Sequence, residues 1–105
     1  MLLEDTISAT RRSTVVITNP IHYAVAIYYA RSETPLPILR AKGMGVMAYL
    51  MDKVAREEGI PVIKNVSIAR ALYRRAKVSD VIPYDFLIPI AEILRWISML
   101  ANRKI

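Results

Sequence analysis

Thr14-Val15-Val16-Ile17-Thr18-Asn19-Pro20-Ile21-His22-Tyr23-Ala24-Val25-Ala26-Ile27-Tyr28-Tyr29 is the stretch that decides the fold. Its first five residues are a β-branched run and predict a buried strand. Asn19-Pro20 breaks that strand, because both residue types favour turns and proline has no N–H for a ladder. Residues 23–29 predict a second strand, apolar on both faces.

Working towards the C-terminus, Arg31-Ser32-Glu33-Thr34-Pro35-Leu36-Pro37 reads as a loop. Ile38 to Lys42 predicts a short third strand, close to a sheet edge because of the prolines before it. Gly43 and Gly45 then introduce a helix, with Met44, Met47, Leu50, Met51 and Val54 at helical spacing and Gly59 as its terminator. Ile60 to Lys64 is short and β-like. A helix with a strand on each side suggests a βαβ unit and some parallel pairing. Ser67 is placed to cap a second helix with Ile68, Ala69, Leu72, Tyr73 and Ala76 on one face. After Pro83 a last helix runs to about Ala101. Pro89 must fall near its first turn, since an interior proline costs about 3 kcal/mol. Ile90, Ile93, Leu94, Ile97 and Leu100 form its buried stripe. Met44, Met47, Met51 and Met99 read as core, and Trp96 as a packing residue at a helix edge.

Towards the N-terminus, residues 1–13 are mixed and polar, ending in Arg11-Arg12-Ser13, and read as a helix or a linker. The predicted fold class is therefore α/β: one domain, with a small mixed β-sheet of about four strands covered by helices.

At 105 residues the chain has room for one core rather than two. A hydrophobic fraction of 54% with 23% charged residues argues against a disordered tail. The absence of cysteine excludes disulfides and thiolate metal sites, and a single histidine leaves few other ligands. No metal and no cofactor are expected. The net charge of +6 attracts nucleic acid, anionic lipid or acidic proteins without choosing among them. The longest apolar run, Tyr23 to Ala30, is eight residues, far short of the ~20 a membrane helix needs. Glu4 and Asp5 do not fit a signal peptide. Arg70, Arg74, Arg75 and Lys77 cluster on or just after one helix. They read as a solvated face or as a docking patch for an acidic partner or a membrane surface. No recognised nucleic-acid motif or aromatic platform accompanies them, so nucleic acid is not the expected partner. Gly43 and Gly45 do not make a phosphate loop.

Asn19-Pro20 carries the one distinctive chemistry. Asparagine usually degrades when the next backbone nitrogen attacks its side chain, and proline blocks that route. The reverse attack stays open. The Asn19 side-chain nitrogen can attack its own backbone carbonyl, close a succinimide and release Pro20. A strained turn, a donor to the carbonyl oxygen and a nearby acid or base would each help. His22, the only histidine, sits three residues on, and its reference pKa of ~6.5 suits proton transfer near neutrality. It is a candidate base, a carbonyl-polarising donor or a support for the turn.

The stretch from Val15 to Ala26 resembles the self-cleavage region of the FlhB/YscU export-switch family of bacterial flagellar and virulence type III secretion systems, whose pattern is Asn-Pro-Thr-His between apolar strands. Arg40-Ala41-Lys42-Gly43 resembles the family's Ala-Lys-Gly element. Ile60-Pro61-Val62-Ile63 with Ala69-Arg70-Ala71-Leu72-Tyr73 resembles its second block, and Tyr84 to Leu100 its closing helix. The resemblance implies a cytoplasmic domain of an inner-membrane export protein. Residues 1–13 would be the connector from a transmembrane region, and residues 14–105 the autocleavage and switch domain. Cleavage between Asn19 and Pro20 would be a single-turnover autoproteolysis, not a turnover enzyme activity. The two pieces would stay associated, because the strands flanking the cut share one sheet. The cleaved form would switch export from early to late substrates. Implied partners are other export-apparatus proteins, secretion substrates and a length-control ruler protein. Glu33-Thr34-Pro35-Leu36-Pro37 looks more like the virulence branch than the flagellar one. Ile21 stands where the family has threonine. It keeps the β-branch and loses a hydroxyl, so the expectations are a retained, slower cleavage or, alternatively, a non-cleaving domain that only docks export partners.

Overall fold

The computed structural model describes residues 2–20 and 22–101, with Ala101 as backbone only. The helices are α1 (Leu3–Arg11), α2 (Val46–Glu57), α3 (Val66–Arg75) and α4 (Leu87–Ala101). The strands are β1 (Val15–Asn19), β2 (Tyr23–Tyr28), β3 (Ile38–Met44) and β4 (Val62–Lys64). They form one mixed sheet in the order β3-β2-β1-β4. β1 pairs antiparallel with β2 and parallel with β4, and β2 pairs antiparallel with β3.

Alternation along the two inner strands sends side chains to two different cores. Val15, Ile17, Val25 and Ile27, with Leu39 of β3, face one side, where Leu72, Ile90, Leu94 and Ile97 close over them. This is the α3 and α4 side. Val16, Ala24, Ala26 and Ala41 face the other, against Ala48, Met51 and Ala55 of α2 and Ala9 of α1. The small alanines let α2 lie close to the sheet. Gly43 shows how close: a Cβ there would fall 3.0 Å from Met47 Cβ and 3.0 Å from Met51 Sδ. Both layers leave Val15, Val16, Ile17 and residues 24–27 with no solvent exposure. That is why β1 and β2 read as continuous apolar runs.

The helix–strand unit after β3 gives parallel pairing, as expected, but the partner is β1. α2 carries the chain across β2 and β1 before β4 is laid down on the far edge. β3 is an edge strand in the main ladder, half covered by residues 79–82. Leu39 N–H donates to the Asp80 carbonyl at 3.0 Å, and Ser79 N–H to the Leu39 carbonyl at 2.7 Å. Residues 3–11 are a helix, with Thr6, Ala9 and Thr10 buried.

Three expectations are corrected. The cap of α3 is Asn65, not Ser67. Asn65 is extended, and its side chain accepts from Ile68 N–H at 3.1 Å, while Ser67 already lies inside the helix. Leu100 is 68% exposed and is not part of the α4 stripe, whereas Ile90, Leu94 and Ile97 are buried and Ile93 packs at their margin. Of the methionines, Met51 is buried and Met47 packs against the alanine core, but Met44 and Met99 are exposed. Pro89 is the third residue of α4, within its first turn, where its missing N–H has no helical partner to lose.

Candidate functional site

Asn19 is the last residue of β1, and Tyr23, the first of β2, lies opposite it. Three residues connect them: Pro20, Ile21 and His22. Pro20 and His22 are exposed and Asn19 is half-buried. Ile21, the variant position, lies outside the described residues. The backbone N–H of His22 donates to the Asn19 carbonyl oxygen at 2.9 Å. That oxygen belongs to the peptide bond joining Asn19 to Pro20. A donor already rests on the atom that gains negative charge when this carbonyl is attacked. Among the described residues, neither the Asn19 carboxamide nor the His22 imidazole has a hydrogen-bond partner. The carboxamide is thus not tied away from its own carbonyl.

The turn is anchored from both flanks. Before it, the Thr18 carbonyl accepts from Asn65 N–H at 2.9 Å. After it, the His22 carbonyl accepts from Gly45 N–H at 3.0 Å. Gly45 has φ +60 and ψ −128, a backbone that a residue with a Cβ rarely adopts. This lets one residue both end β3 and turn its N–H towards the loop. Beside the turn lies an open cleft of about 520 Å³, lined by Pro20, Gly45, Val46, Tyr49 and Asp52 among others. Val46 and Tyr49 are both exposed there.

The sequence-predicted site residues therefore fall into two groups. Asn19, Pro20 and His22 come together in one tight turn. His22 meets the Asn19 carbonyl through its backbone, not its ring. Arg70, Arg74, Arg75 and Lys77 lie elsewhere, from the middle of α3 to just past its end, and Arg75 is already engaged. Its guanidinium donates to both oxygens of Asp85, at 2.7 and 2.9 Å, and stacks on Phe86 with the ring centre 5.0 Å away. The pair joins α3 to the 3-10 turn Tyr84–Phe86 that leads into α4. The hydrogen bonds from Arg75 hold the Asp85 carboxyl below its ordinary range.

The anchors of the turn and the brace at the end of α3 are not legible in the sequence. By residue type Gly45 reads as a helix starter, and Lys42 as the end of a strand and part of a family-like element. Lys42 Nζ donates to the carbonyls of Tyr73 and Ala76, at 3.0 and 2.9 Å, closing the end of α3. The second feature missed is a groove of about 840 Å³ between the 31–37 loop and α4. Leu36, Pro37, Ile88, Ala91, Leu94 and Met99 are among its lining residues. Proline runs beside an apolar helix were the available signal. Among the described residues, no cluster of ligating side chains can hold a metal, and no helix is long and apolar enough to cross a membrane.

A mixed four-stranded sheet with helices on both faces, opened by an Asn-Pro turn between its two inner strands, has close relatives. Residues 1–97 match the FlhB HrpN YscU SpaS family. The chain belongs to this family. It is 42% identical over 88 residues to the Yop proteins translocation protein U of Yersinia pestis, covering 84% of this chain and 25% of that protein. It superposes on the C-terminal domain of EscU carrying an asparagine-to-alanine mutation with a TM-score of 0.83, at 34% identity, covering 87% of this chain and 91% of that one. The cytoplasmic domain of FlhB from Shewanella putrefaciens gives a TM-score of 0.86 at 28% identity, covering 92% and 80%. The chain thus has the fold of the C-terminal, cytoplasmic domain of these export proteins. It spans about a quarter of the length of the curated relatives it matches.

Proposed function

We propose that this domain cuts its own backbone between Asn19 and Pro20, and that the cut is a switch in a type III protein-export apparatus. The single observation that carries the chemistry is the His22 N–H held 2.9 Å from the Asn19 carbonyl oxygen. In the step proposed, Asn19 Nδ2 attacks the Asn19 carbonyl carbon. Negative charge gathers on the oxygen that the His22 N–H already contacts. The bond to the Pro20 nitrogen breaks, and that nitrogen takes up the proton lost by Nδ2. The products are residues 1–19 ending in a succinimide and residues 20–105 starting with a free secondary amine. Atoms balance with no co-reactant, and water later opens the ring. The amide nucleophile is weak, so the turn must supply proximity and charge stabilisation. The exposed His22 imidazole is within the same turn and can relay the proton through water.

Family membership supports the export setting. Residues 1–13 would join the domain to a membrane region, with the domain on the cytoplasmic face. Export-apparatus proteins, secretion substrates and a ruler protein would be its partners. The groove against α4 is a candidate surface for such docking, because it is concave and mostly apolar. The second reading, docking without cleavage, is favoured by Ile21 in place of threonine. The two separate on one comparison. Asn19→Ala abolishes the cut on the first reading, and Ile21→Thr accelerates a cut the wild-type chain already makes. If only Ile21→Thr is cut, the domain as it stands docks without cleaving.

A further inference from the structure

We infer that Tyr23, backed by Tyr73 and Lys42, positions the Asn19 side chain for attack. This rests on the self-cleavage reading above. Asn19 and Tyr23 are directly opposite in the β1–β2 ladder. Their side chains therefore leave the sheet on the same face, with Cβ atoms roughly 5 Å apart. It is the face of Val15, Ile17, Val25 and Ile27. Tyr23 is not free to swing. Its ring lies 4.8 Å from the Tyr73 ring, tilted by 35°. Tyr73 is fixed in turn by Lys42, whose ammonium donates to the Tyr73 and Ala76 carbonyls and sits 5.3 Å from the Tyr73 ring centre. A cation at the C-terminal end of a helix is well placed electrostatically. The support thus runs from β3 through the end of α3 to the residue facing Asn19.

An asparagine at a strand end samples three staggered χ1 wells. Ring closure needs Nδ2 over its own carbonyl carbon, so only part of that sampling is productive. A rigid ring on the same face limits the sweep of the carboxamide and keeps it near the turn. Tyr23 is then a positioning residue, because it takes no part in bond making. Lys42 acts one step further back. This gives a role to Lys42, which the Asn-Pro chemistry alone leaves unexplained.

The test follows the full-length chain during cell-free synthesis, with samples quenched at intervals and resolved on a denaturing gel. Tyr23→Leu removes the ring and is expected to slow cleavage about threefold to tenfold, the scale of losing one rotamer restriction or a little more. Tyr23→Phe keeps the ring and is expected to cut at the wild-type rate. Lys42→Met keeps the apolar stem, loses both carbonyl contacts and is expected to slow cleavage less than Tyr23→Leu. Val54→Ala, in the buried face of α2 and away from the ring stack, is the control for lost stability, with urea midpoints measured for all variants. Tyr23→Leu slowing no more than a control of equal midpoint overturns the inference, as does Tyr23→Phe slowing as much as Tyr23→Leu. A wild-type chain that stays whole sinks the cleavage reading itself, and this inference with it. Wild-type cutting with an unaffected Tyr23→Leu sinks only the inference.

Discussion

Ile17→Ala should release the 1–19 piece once the Asn19-Pro20 bond is broken. That piece holds α1 and β1, and β1 is an inner strand bonded to β2 along five residues and to β4 along three. Val15, Val16 and Ile17 have no solvent exposure. At about 1.5–3 kcal/mol per buried side chain, the three contribute roughly 5–9 kcal/mol of gross attraction that needs no covalent bond. Ile17 is the largest of them. Cutting it to alanine costs about 2–5 kcal/mol, lost burial plus residual cavity. At 1.4 kcal/mol per tenfold, the hold on the piece weakens by roughly 30- to 3,000-fold. The assay co-expresses residues 1–19 and 20–105 as separate chains and follows them through native gel filtration at falling concentration. The unmodified pieces should travel together at micromolar concentration, and the Ile17→Ala piece should separate at much higher concentration than its parent. Unmodified pieces that separate at once, or an Ile17→Ala piece held as tightly as the parent, would refute strand burial as the source of retention.

Gly43→Ala should destabilise the domain by about 1–3 kcal/mol, the usual cost of overpacking. The new Cβ meets Met47 Cβ, which sits on the α2 backbone and cannot rotate away. Thermal melting should fall by several degrees. Asn65→Ala removes the α3 cap bond to Ile68 N–H and should cost about 1 kcal/mol by urea titration, with Asn65→Asp close to neutral. Asp85→Asn tests the clasp to α4. The Asp85 carboxyl titrates below its unfolded value, so its stabilisation is complete above about pH 4 and fades as pH falls through the folded value. The melting gap between wild type and Asp85→Asn should therefore be open at neutral pH and close in acid. A gap that persists at about pH 2 would mean the residue acts through packing instead.

The two inner strands were legible because burial on both faces leaves a nearly continuous apolar run, and because Asn19-Pro20 ends one strand sharply. The parallel partner of β1 was not. A short run such as Val62–Lys64 carries no mark of which strand it will join, and the α2 crossover decides it. Ser67 and Asn65 are both good cap residues by type. Only the extended backbone at Asn65 shows which one reaches an orphan N–H. Met44, Met99 and Leu100 were read as core because helical spacing reports a face, not whether anything covers it. At the site, Asn19, Pro20 and His22 were visible because they are contiguous. The carbonyl donor was not visible, because it is the backbone N–H of His22, and residue type reports only side-chain chemistry. Gly45, Tyr73 and Lys42 were out of reach, since the sheet and α3 bring them towards the turn and Tyr23 from 20 or more residues away.

The most direct measurement is the intact mass of the purified, unfolded wild-type chain, taken soon after synthesis and again after long incubation. Self-cleavage by Asn19 cyclisation predicts two species that break between Asn19 and Pro20. The 1–19 piece should appear first one water lighter than its free acid, then gain that water. A single full-length mass that persists through the incubation would contradict it, as would a cut at any other bond or a 1–19 piece that never passes through the dehydrated form.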